Sequence, residues 1–318
     1  MPELPEVETV RAGLESLTAG AVIVDVDVRR DSCVRLVSGG PEEFRASVVG
    51  QRIDEVARRG KYMWMALVPS DDAARPSSQA PRESLSIHLG MSGQFRVHEG
   101  PWAEAPEPHP HCRARLSLAT DDGAQYTADF LDQRTFGYLH CEAMVEIDDG
   151  EPAGAGTRWS VLPASVAHIG RDALDPHLDQ GQAVASWRRG SRGIKQVLLD
   201  QTLVSGIGNI YADEALWAAR VHPERPAHAV TRPRALELLE AAQRVMASAL
   251  EQGGTSFDAL YVNVNGESGY FSRSLEAYGR EGEPCRRCGT PLRRAAIGGR
   301  STHWCARCQR EWRRTQAR

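Results

Sequence analysis

Four cysteines near the C-terminus constrain the fold of this chain more than any other feature of its sequence. They form two Cys-x2-Cys pairs separated by 16 residues: Cys285, Cys288, Cys305 and Cys308. Two such pairs match the tetrahedral four-sulfur geometry that Zn²⁺ prefers, and the gap between them leaves room for a β-hairpin. Because protein ligands fill all four positions, we expect one structural zinc ion rather than a catalytic one.

The segment that carries these cysteines is short and rich in arginine. From Cys285 to the C-terminus there are 34 residues, too few to bury a hydrophobic core, so the zinc ion takes the place of one. We expect Arg293, Arg294 and Arg300 to lie near the tip of the hairpin. From there a rigid finger would present its arginines to a DNA backbone or groove.

The charge of the chain is unevenly distributed. The net charge of −4 by itself argues against a nucleic-acid partner. The last 34 residues, however, contain ten Arg and one Glu, a formal charge of +9, which leaves −13 for the rest. A concentrated basic tail on an acidic body is the local footprint that phosphate binding needs. A solvated basic tail without a partner is the alternative.

Lysine is almost absent from the sequence. Only Lys61 and Lys195 are lysines among the 38 basic residues. A GC-rich genome replaces Lys by Arg wherever only the positive charge matters, but a compact amine that can lose its proton does something a guanidinium cannot. Both lysines are therefore candidates for a specific role, and chance retention at the surface is the alternative.

Apolar spacing divides the chain into a β-rich part and a helical part. Spacings of three and four predict a helix from Pro5 to about residue 19, and alternating runs between residues 21 and 147 predict a β-sandwich. Beyond a Gly/Pro-rich acidic stretch the pattern becomes helical, so the fold class is α+β and multidomain. We expect an N-terminal β-sandwich domain over 1–147, a linker over 148–157, a helical domain over 158–273 and the zinc finger over 274–318.

A glycine-rich turn, Val204-Ser-Gly-Ile-Gly-Asn-Ile-Tyr211, separates two predicted helical stretches, 193–203 and 211–219. Asn209 stands at the start of the second stretch, where free N–H groups and the helix dipole attract an anion. A phosphate clamp on DNA is one interpretation. An ordinary helix hairpin with an Asn cap is the other.

The N-terminus offers a nucleophile. Removal of Met1 would leave Pro2 with a secondary amine of pKa about 8, of which about a quarter is neutral at pH 7.5. Its attack on C1′ of a nucleoside gives an iminium ion, which makes the 2′ proton acidic. Glu3 and Glu6 lie within one helical turn and are candidates for proton transfer. A proline without catalytic function is the alternative.

Localisation also follows from sequence patterns. No apolar run approaches the roughly 18 residues that a membrane span needs, and the acidic N-terminus does not resemble a signal peptide. We therefore expect a cytoplasmic, nucleoid-associated protein whose seven cysteines are thiols or metal ligands rather than disulfides.

Taken together, these features resemble those of bacterial formamidopyrimidine-DNA glycosylases, in the same order and over essentially the whole chain. The shared motifs are PELPEVE at 2–8, GKY at 60–62, HLGMSG at 88–93, RTFG at 134–137, GIGNIY at 206–211, YGR at 278–280 and the four-cysteine finger. The chain departs from the usual pattern at Gln133 and Thr135, where the family often has Pro and a second Arg.

The resemblance implies both a fold and a function. The fold is a β-sandwich domain, a helix-two-turn-helix domain and a zinc finger flanking a DNA cleft. The function is excision of 8-oxoguanine and formamidopyrimidines from double-stranded DNA by a monomeric enzyme. The same enzyme cuts the strand at the resulting abasic site by β- and δ-elimination.

The resemblance also implies catalytic roles. Pro2 would be the Schiff-base nucleophile and Glu3 the acid/base at the sugar, while Glu6 would help organise the N-terminus. Lys61 would contact phosphate and act in β-elimination, and Arg300 would do the same in δ-elimination.

Other residues would hold or distort the DNA. Met91, Arg134 and Phe136 would fill the gap left by the everted base, although Met91 and Phe136 would otherwise be taken as core residues. A loop at about 255–269 would close over that base. The remaining expected DNA contacts are His109, Lys195, Asn209 and Tyr278.

Two alternatives remain from the sequence. An endonuclease VIII-like relative would share Pro2, Glu3 and the finger but remove oxidised pyrimidines. The context of Leu4 and the loop around Arg134 favour the purine-lesion enzyme. The second alternative is a non-catalytic zinc-finger DNA-binding protein, against which the two lysines and Glu3 count.

Overall fold

The computed structural model describes residues 2–70, 78–253 and 274–312, which fall into two compact units. Unit 1 holds the described residues up to His168 together with Gly253, and unit 2 holds those from Ile169 to Gln252 and from residue 274 onward. This division does not test the boundaries expected between linker, helical domain and zinc finger, which stay predictions.

Unit 1 is built on nine strands in its described residues. They are β1 (Val22–Val28), β2 (Gln51–Arg59), β3 (Tyr62–Pro69), β4 (Glu83–His88), β5 (Gly93–Glu99), β6 (Cys112–Ala119), β7 (Gln125–Asp132), β8 (Tyr138–Glu146) and β9 (Val161–Pro163). All pair antiparallel, in the order β5-β7-β6-β1-β2-β3-β4-β8-β9. β1 and β2 meet at the single register pair Val22–Arg52, so the sheet consists of two halves joined there.

Both halves of the sheet contribute to one hydrophobic core. Along β6, buried and half-buried residues alternate, as expected for a strand with one face on a core. Leu116 and Leu118 of β6 belong to the same buried cluster as Met63 and Met65 of β3, which lies in the other half. Two half-sheets that enclose one core confirm the predicted β-sandwich.

Two helices accompany the sheet, α1 (Leu4–Thr18) and α2 (Gly40–Val48). The apolar residues of α1 recur at helical spacing and bury Val7, Val10 and Leu14, which confirms the helix predicted from the sequence. Arg11 fastens α1 to β2 through a hydrogen bond of 2.9 Å to the carbonyl of Val56. The middle of α1 is therefore held against the strand that leads to Lys61.

Unit 2 contains four helices and a two-stranded hairpin among its described residues: α3 (Gln180–Trp187), α4 (Ile194–Leu198), α5 (Asn209–Ala218), α6 (Arg232–Glu251), β10 (Arg293–Ile297) and β11 (Arg300–Trp304). The predicted helix over 193–203 is too long, because α4 ends at Leu198. Asp200 causes this, since its Oδ1 accepts hydrogen bonds from both the backbone N–H and the hydroxyl of Thr202 and so favours a turn.

Every helix within the described residues is too short or too polar to span a membrane.

Candidate active site and metal centre

The four cysteine sulfurs of unit 2 converge on one point. The Sγ atoms of Cys285, Cys288, Cys305 and Cys308 all lie within 4.8 Å of one another, and those of Cys288 and Cys305 are 3.5 Å apart. Zn–S bonds of about 2.3 Å in a tetrahedron place sulfur atoms about 3.8 Å apart. The donor set therefore fits one structural zinc ion. Around it, Cys285, Cys305 and Leu292 form a small buried cluster, against which Trp217 of α5 packs.

The hairpin between the cysteine pairs places only one of the three expected arginines at its tip. Gly298 and Gly299 form the turn with φ angles of 58° and 76°, and Arg300 follows directly and is exposed. The expectation was wrong for Arg293 and Arg294, which pair with Trp304 and His303 at the opposite end of the hairpin. The Gly-Gly step adopts the left-handed conformation that two-residue hairpin turns require, and it sets the tip at the end of the hairpin opposite Trp304 and Cys305.

Lys195 lies inside unit 2 rather than on its surface. The residue is 1% exposed, and its Nζ is 2.6 Å from Oδ1 of the fully buried Asp213. Nζ also donates to the carbonyl of Ser301 at 3.0 Å, and Nδ2 of Asn209 donates to the same carbonyl at 2.9 Å. The backbone N–H of His303 donates to Asp213 at 2.8 Å. These contacts bind α4 and α5 to β11, the strand that begins with Arg300.

Tyr278 is positioned by a carboxylate that the sequence patterns did not single out. Glu214 on α5 accepts backbone N–H bonds from Glu276, Ala277 and Tyr278 at 2.9, 2.8 and 2.8 Å. Burial raises the pKa of Glu214, and the three hydrogen bonds oppose that rise. The ring of Tyr278 lies edge-on to His303 with 5.0 Å between ring centroids. Two adjacent acidic residues in α5, Asp213 and Glu214, were the only sequence feature that could have pointed to this role of Glu214.

The N-terminal residues form a buried start to α1. Pro2 is buried, and Glu3 and Glu6 are 2% and 3% exposed. The backbone N–H of Glu3 donates to Oε2 of Glu6 at 2.8 Å, which satisfies one of the donors that a helix start leaves open. Glu6 thus fixes the backbone directly after Pro2. Lys61 is half-buried in the tight turn between β2 and β3, after Gly60 with φ 60°.

His88 lies close enough to Lys61 to be affected by its charge. From the sequence alone, His88 was assigned no role. Its ring stacks on Tyr138 at 5.3 Å with an interplanar angle of 8°, and Tyr62 covers it at 5.1 Å. Burial lowers the pKa of His88 to about 4, and the positive charges of Lys61 and Arg35 act in the same direction. Its Nδ1 accepts the N–H of Gly90 at 3.1 Å, as a neutral ring can.

The residues expected to fill the gap in the DNA are exposed. Met91 and Phe136 are 40% and 56% exposed, which excludes the alternative that they belong to the core. Arg134 is also exposed, and its guanidinium lies 3.8 Å from the sulfur of Met91. Thr135, between Arg134 and Phe136, has φ 55°, a left-handed conformation that costs a β-branched residue about 1–3 kcal/mol.

His109 lines an open basic cavity of about 520 Å³ in unit 1, together with Arg29, Arg30 and Arg113. It is half-buried, and the ring of His111 lies 5.1 Å away. Burial and the neighbouring His111 lower the pKa of His109. The expected loop at about 255–269 lies outside the described residues. Of the expected catalytic residues, Pro2, Glu3, Glu6 and Lys61 belong to unit 1, and Arg300 belongs to unit 2.

Comparison with protein families gives three consecutive matches. Residues 1–139 match the formamidopyrimidine-DNA glycosylase N-terminal domain, and residues 169–259 match the H2TH domain of the same glycosylase. Residues 282–310 match a zinc finger found in FPG and IleRS.

Curated relatives match over the full length. The formamidopyrimidine-DNA glycosylase of Nocardioides sp. is 50% identical, covering 100% of this chain and 97% of the relative. That of Leifsonia xyli is 47% identical, covering 98% and 100%. Among solved structures, the MutM (Fpg) protein of Thermus thermophilus has a TM-score of 0.74 at 34% identity, and Lactococcus lactis Fpg in complex with abasic-site DNA has 0.75 at 27%; each comparison covers 98% of this chain and 100% of the other.

The fold, the four-cysteine centre and these matches define the class: a base-excision DNA glycosylase with a zinc finger. Within that class, the chain belongs to the formamidopyrimidine-DNA glycosylase family, as the sequence motifs indicated.

Proposed function

We propose that this chain is a bifunctional DNA glycosylase and abasic-site lyase that removes 8-oxoguanine and formamidopyrimidines from double-stranded DNA. The observation that carries the proposal is the N-terminus, where Pro2 directly precedes two buried carboxylates, Glu3 and Glu6, at the start of α1. Full-length identity of 50% to a named formamidopyrimidine-DNA glycosylase supports it. A DNA substrate places its activity at the chromosome, in the cytoplasm.

The chemistry begins once Met1 has been removed. The amine of Pro2 attacks C1′, the bond from C1′ to the damaged base breaks, and the base leaves with the bonding electrons and a proton. Proton transfer to O4′ then lets the bond between C1′ and O4′ break, which opens the sugar ring and leaves an iminium ion between C1′ and the Pro2 nitrogen. The iminium ion draws electrons from the sugar, so the 2′ proton can be removed and the 3′ phosphate expelled. Glu3 transfers protons at the sugar, and Lys61 contacts the phosphate and acts in this β-elimination. Arg300 serves the following δ-elimination, which expels the 5′ phosphate.

Other residues hold the DNA. In unit 1, His109 belongs to a basic cavity suited to a phosphate, and Met91, Arg134 and Phe136 fill the gap left by the everted base. In unit 2, Tyr278 contacts DNA, and Asn209 and Lys195 contribute by holding the strand of Arg300 in place. The zinc ion keeps the finger folded, and the loop at about 255–269 closes over the base.

Borohydride trapping tests the proposal. The protein is incubated with duplexes that contain 8-oxoguanine, thymine glycol, an abasic site or no lesion, and covalent adducts are separated by denaturing electrophoresis. We expect adducts with 8-oxoguanine and abasic duplexes only. The matched control is the same protein with an uncleaved N-terminal tag, which blocks the Pro2 amine without changing any side chain and should form no adduct.

The outcomes separate the alternatives. Adducts with thymine glycol but not with 8-oxoguanine would place the chain among endonuclease VIII-like enzymes. Absence of adducts with every duplex, together with retained DNA binding, would overturn the catalytic proposal in favour of a zinc-finger DNA-binding protein. Equal trapping by the tagged protein would exclude Pro2 as the nucleophile.

A further inference from the structure

A buried carboxylate at the end of β7 is bonded to two different loops. Asp132 is 1% exposed. Its Oδ1 accepts the hydroxyl of Ser92 at 2.5 Å and the backbone N–H of Arg134 at 3.2 Å, and its Oδ2 accepts the N–H of Gly137 at 2.7 Å. Ser92 lies in the segment 89–93, called here the Met91 loop. Arg134 and Gly137 lie in the segment 132–137, called here the Phe136 loop.

The two loops also touch directly through a glycine. A Cβ atom on Gly90 would lie 2.6 Å from the backbone nitrogen of Gly137 and 2.7 Å from the carbonyl carbon of Phe136. No side chain fits between them, so the backbones are in van der Waals contact. The Met91 loop and the Phe136 loop therefore form one packed body.

The Phe136 loop is gripped on its carbonyl side as well. Arg35 donates to the carbonyl of Phe136 at 2.9 Å and to that of Gly137 at 2.7 Å. Thr135, with φ 55°, lies in the backbone between the residues that Asp132 and Arg35 hold by these hydrogen bonds. A strained backbone of this kind persists only where its surroundings over-determine it, and such strain is typical of preorganised sites.

We propose that Asp132 is a positioning residue that joins the Met91 loop and the Phe136 loop into one rigid wedge for entry into the duplex. The inference rests on the proposed function, because it takes Met91, Arg134 and Phe136 as the side chains that fill the gap. These exposed side chains sit on a backbone that is ordered before DNA binds. Preorganisation of this kind lowers the entropy cost of forming the complex in which the base is everted.

Asp132→Asn tests the proposal, and the same strand supplies a matched control. The amide keeps one acceptor oxygen but loses the other. Either the N–H of Gly137, or the hydroxyl of Ser92 together with the N–H of Arg134, therefore loses its carboxylate acceptor, and the joint between the loops is weakened. Asp129 lies three residues earlier on β7, is 3% exposed, and binds the guanidinium of Arg115 at 2.6 and 2.7 Å. Asp129→Asn therefore removes a charge that is buried about as deeply as that of Asp132, but it breaks no hydrogen bond to either loop.

The readout is base release under single-turnover conditions from two substrates. One is a duplex with 8-oxoguanine paired to cytosine, and the other carries 8-oxoguanine within an unpaired bubble, where eversion costs less. We expect Asp132→Asn to lose about tenfold or more on the duplex and about threefold or less on the bubble, because only the first needs the wedge. For Asp129→Asn we expect the duplex-to-bubble ratio of the unaltered protein.

Equal losses of Asp132→Asn on both substrates would overturn the inference. A duplex-to-bubble ratio for Asp129→Asn that is lowered as far as that for Asp132→Asn would also overturn it. If Asp132→Asn does not fold, Ser92→Ala replaces it, since the Ser92 oxygen also accepts the Arg134 N–H at 3.0 Å; its loss should be smaller but again confined to the duplex. An unaltered protein that releases no base from either substrate would instead reject the proposed function, and the wedge with it.

Discussion

The amine of Lys195 and the carboxylate of Asp213 are both shielded from solvent, with 2.6 Å between Nζ and Oδ1. Removal of two charges from water is costly, and this cost is offset by their attraction and by hydrogen bonds to the remaining atoms. Ser301 and His303 of β11 supply such bonds. The retention of lysine here, in a chain that otherwise uses arginine, thus has a physical reason, because a compact ammonium fits the enclosed site.

Loss of one partner from this pair should destabilise the fold strongly. We expect Asp213→Ala to lower the free energy of unfolding by about 3–5 kcal/mol, because it leaves the Lys195 charge buried and uncompensated. Urea unfolding of the zinc-loaded protein measures it. The exposed pair between Arg234 and Glu237, at 2.6 Å, gives the control, and Glu237→Gln should cost about 1 kcal/mol or less. A similar cost for both variants would contradict the account.

The second residue-scale prediction concerns His88 and pH. Its pKa in the folded protein is about 4, below its value of about 6.5 in an unfolded chain. Below pH 6.5 the unfolded chain therefore binds a proton that the folded protein resists, so stability is full above pH 6.5 and declines as pH falls toward 4. Between pH 7 and 4.5 the loss from this group is about 2 kcal/mol.

His88→Gln removes the titration while keeping a polar side chain. We expect the free energy of unfolding of the unaltered protein to fall by about 2 kcal/mol more than that of His88→Gln between pH 7 and 4.5. Urea unfolding at the two pH values measures the difference, and other titrating groups cancel in it. Parallel declines would show that His88 is not held neutral.

At the scale of elements, regular apolar spacing made some helices and strands predictable from the sequence, and others were not predicted. α1 and β6 carry regular apolar spacings and were predicted. β2 was missed because its sequence, QRIDEVARR, reads as charged, although Arg58 and Arg59 are 3% and 8% exposed. Arg58 is buried because Glu8 of α1 accepts from its Nε at 2.8 Å, a partner 50 residues away. The residue pattern of one β-strand does not reveal a partner so distant in the sequence.

The zinc finger is the element with the clearest test. Its hairpin exposes most of β10, so the four sulfurs and their metal replace a core.

The other three cysteines lie in unit 1, outside the finger. Burial raises the pKa values of their thiols, those of Cys33 and Cys112 to about 12 and that of Cys141 to about 11, which keeps them protonated and unreactive.

Thiol titration should therefore depend on the metal. In the native zinc-loaded protein we expect almost no reaction with a thiol reagent at pH 8. After a chelator removes the zinc, the four finger thiols should react, with parallel loss of binding to duplex DNA. Denaturant should release all seven thiols. Fast reaction of seven thiols upon chelation alone would mean that the finger is not an independent metal-held element.

At the scale of the whole molecule, charge distribution matters more than net charge. A protein of net charge −4 binds DNA only if its cations are concentrated where phosphates approach. Arg300 is exposed at a hairpin tip, whereas Lys195 is enclosed by protein groups. We therefore expect direct phosphate contact from Arg300 and not from Lys195.

Salt dependence of DNA affinity should distinguish such residues. The logarithm of the binding constant falls with the logarithm of salt concentration by about 0.9 for each phosphate contact. We expect Arg300→Ala to reduce the magnitude of this slope by about 1 for an undamaged duplex. Arg244→Ala, which removes a 66% exposed arginine from α6, should leave the slope unchanged, and equal changes would remove Arg300 from the phosphate contacts.

The sequence by itself determined the zinc ligands, the first helix, the alternating strands and the family, because metal-ligand spacing and apolar period are local properties of the chain. Only the tertiary structure decided that Lys195 is enclosed with Asp213, that His88 stays neutral and that Asp132 joins two loops. Each of these depends on groups far apart in sequence, such as Lys195 and Ser301, which are 106 positions apart. Burial and the local dielectric are set by folding, and they change what the same charged side chain can do.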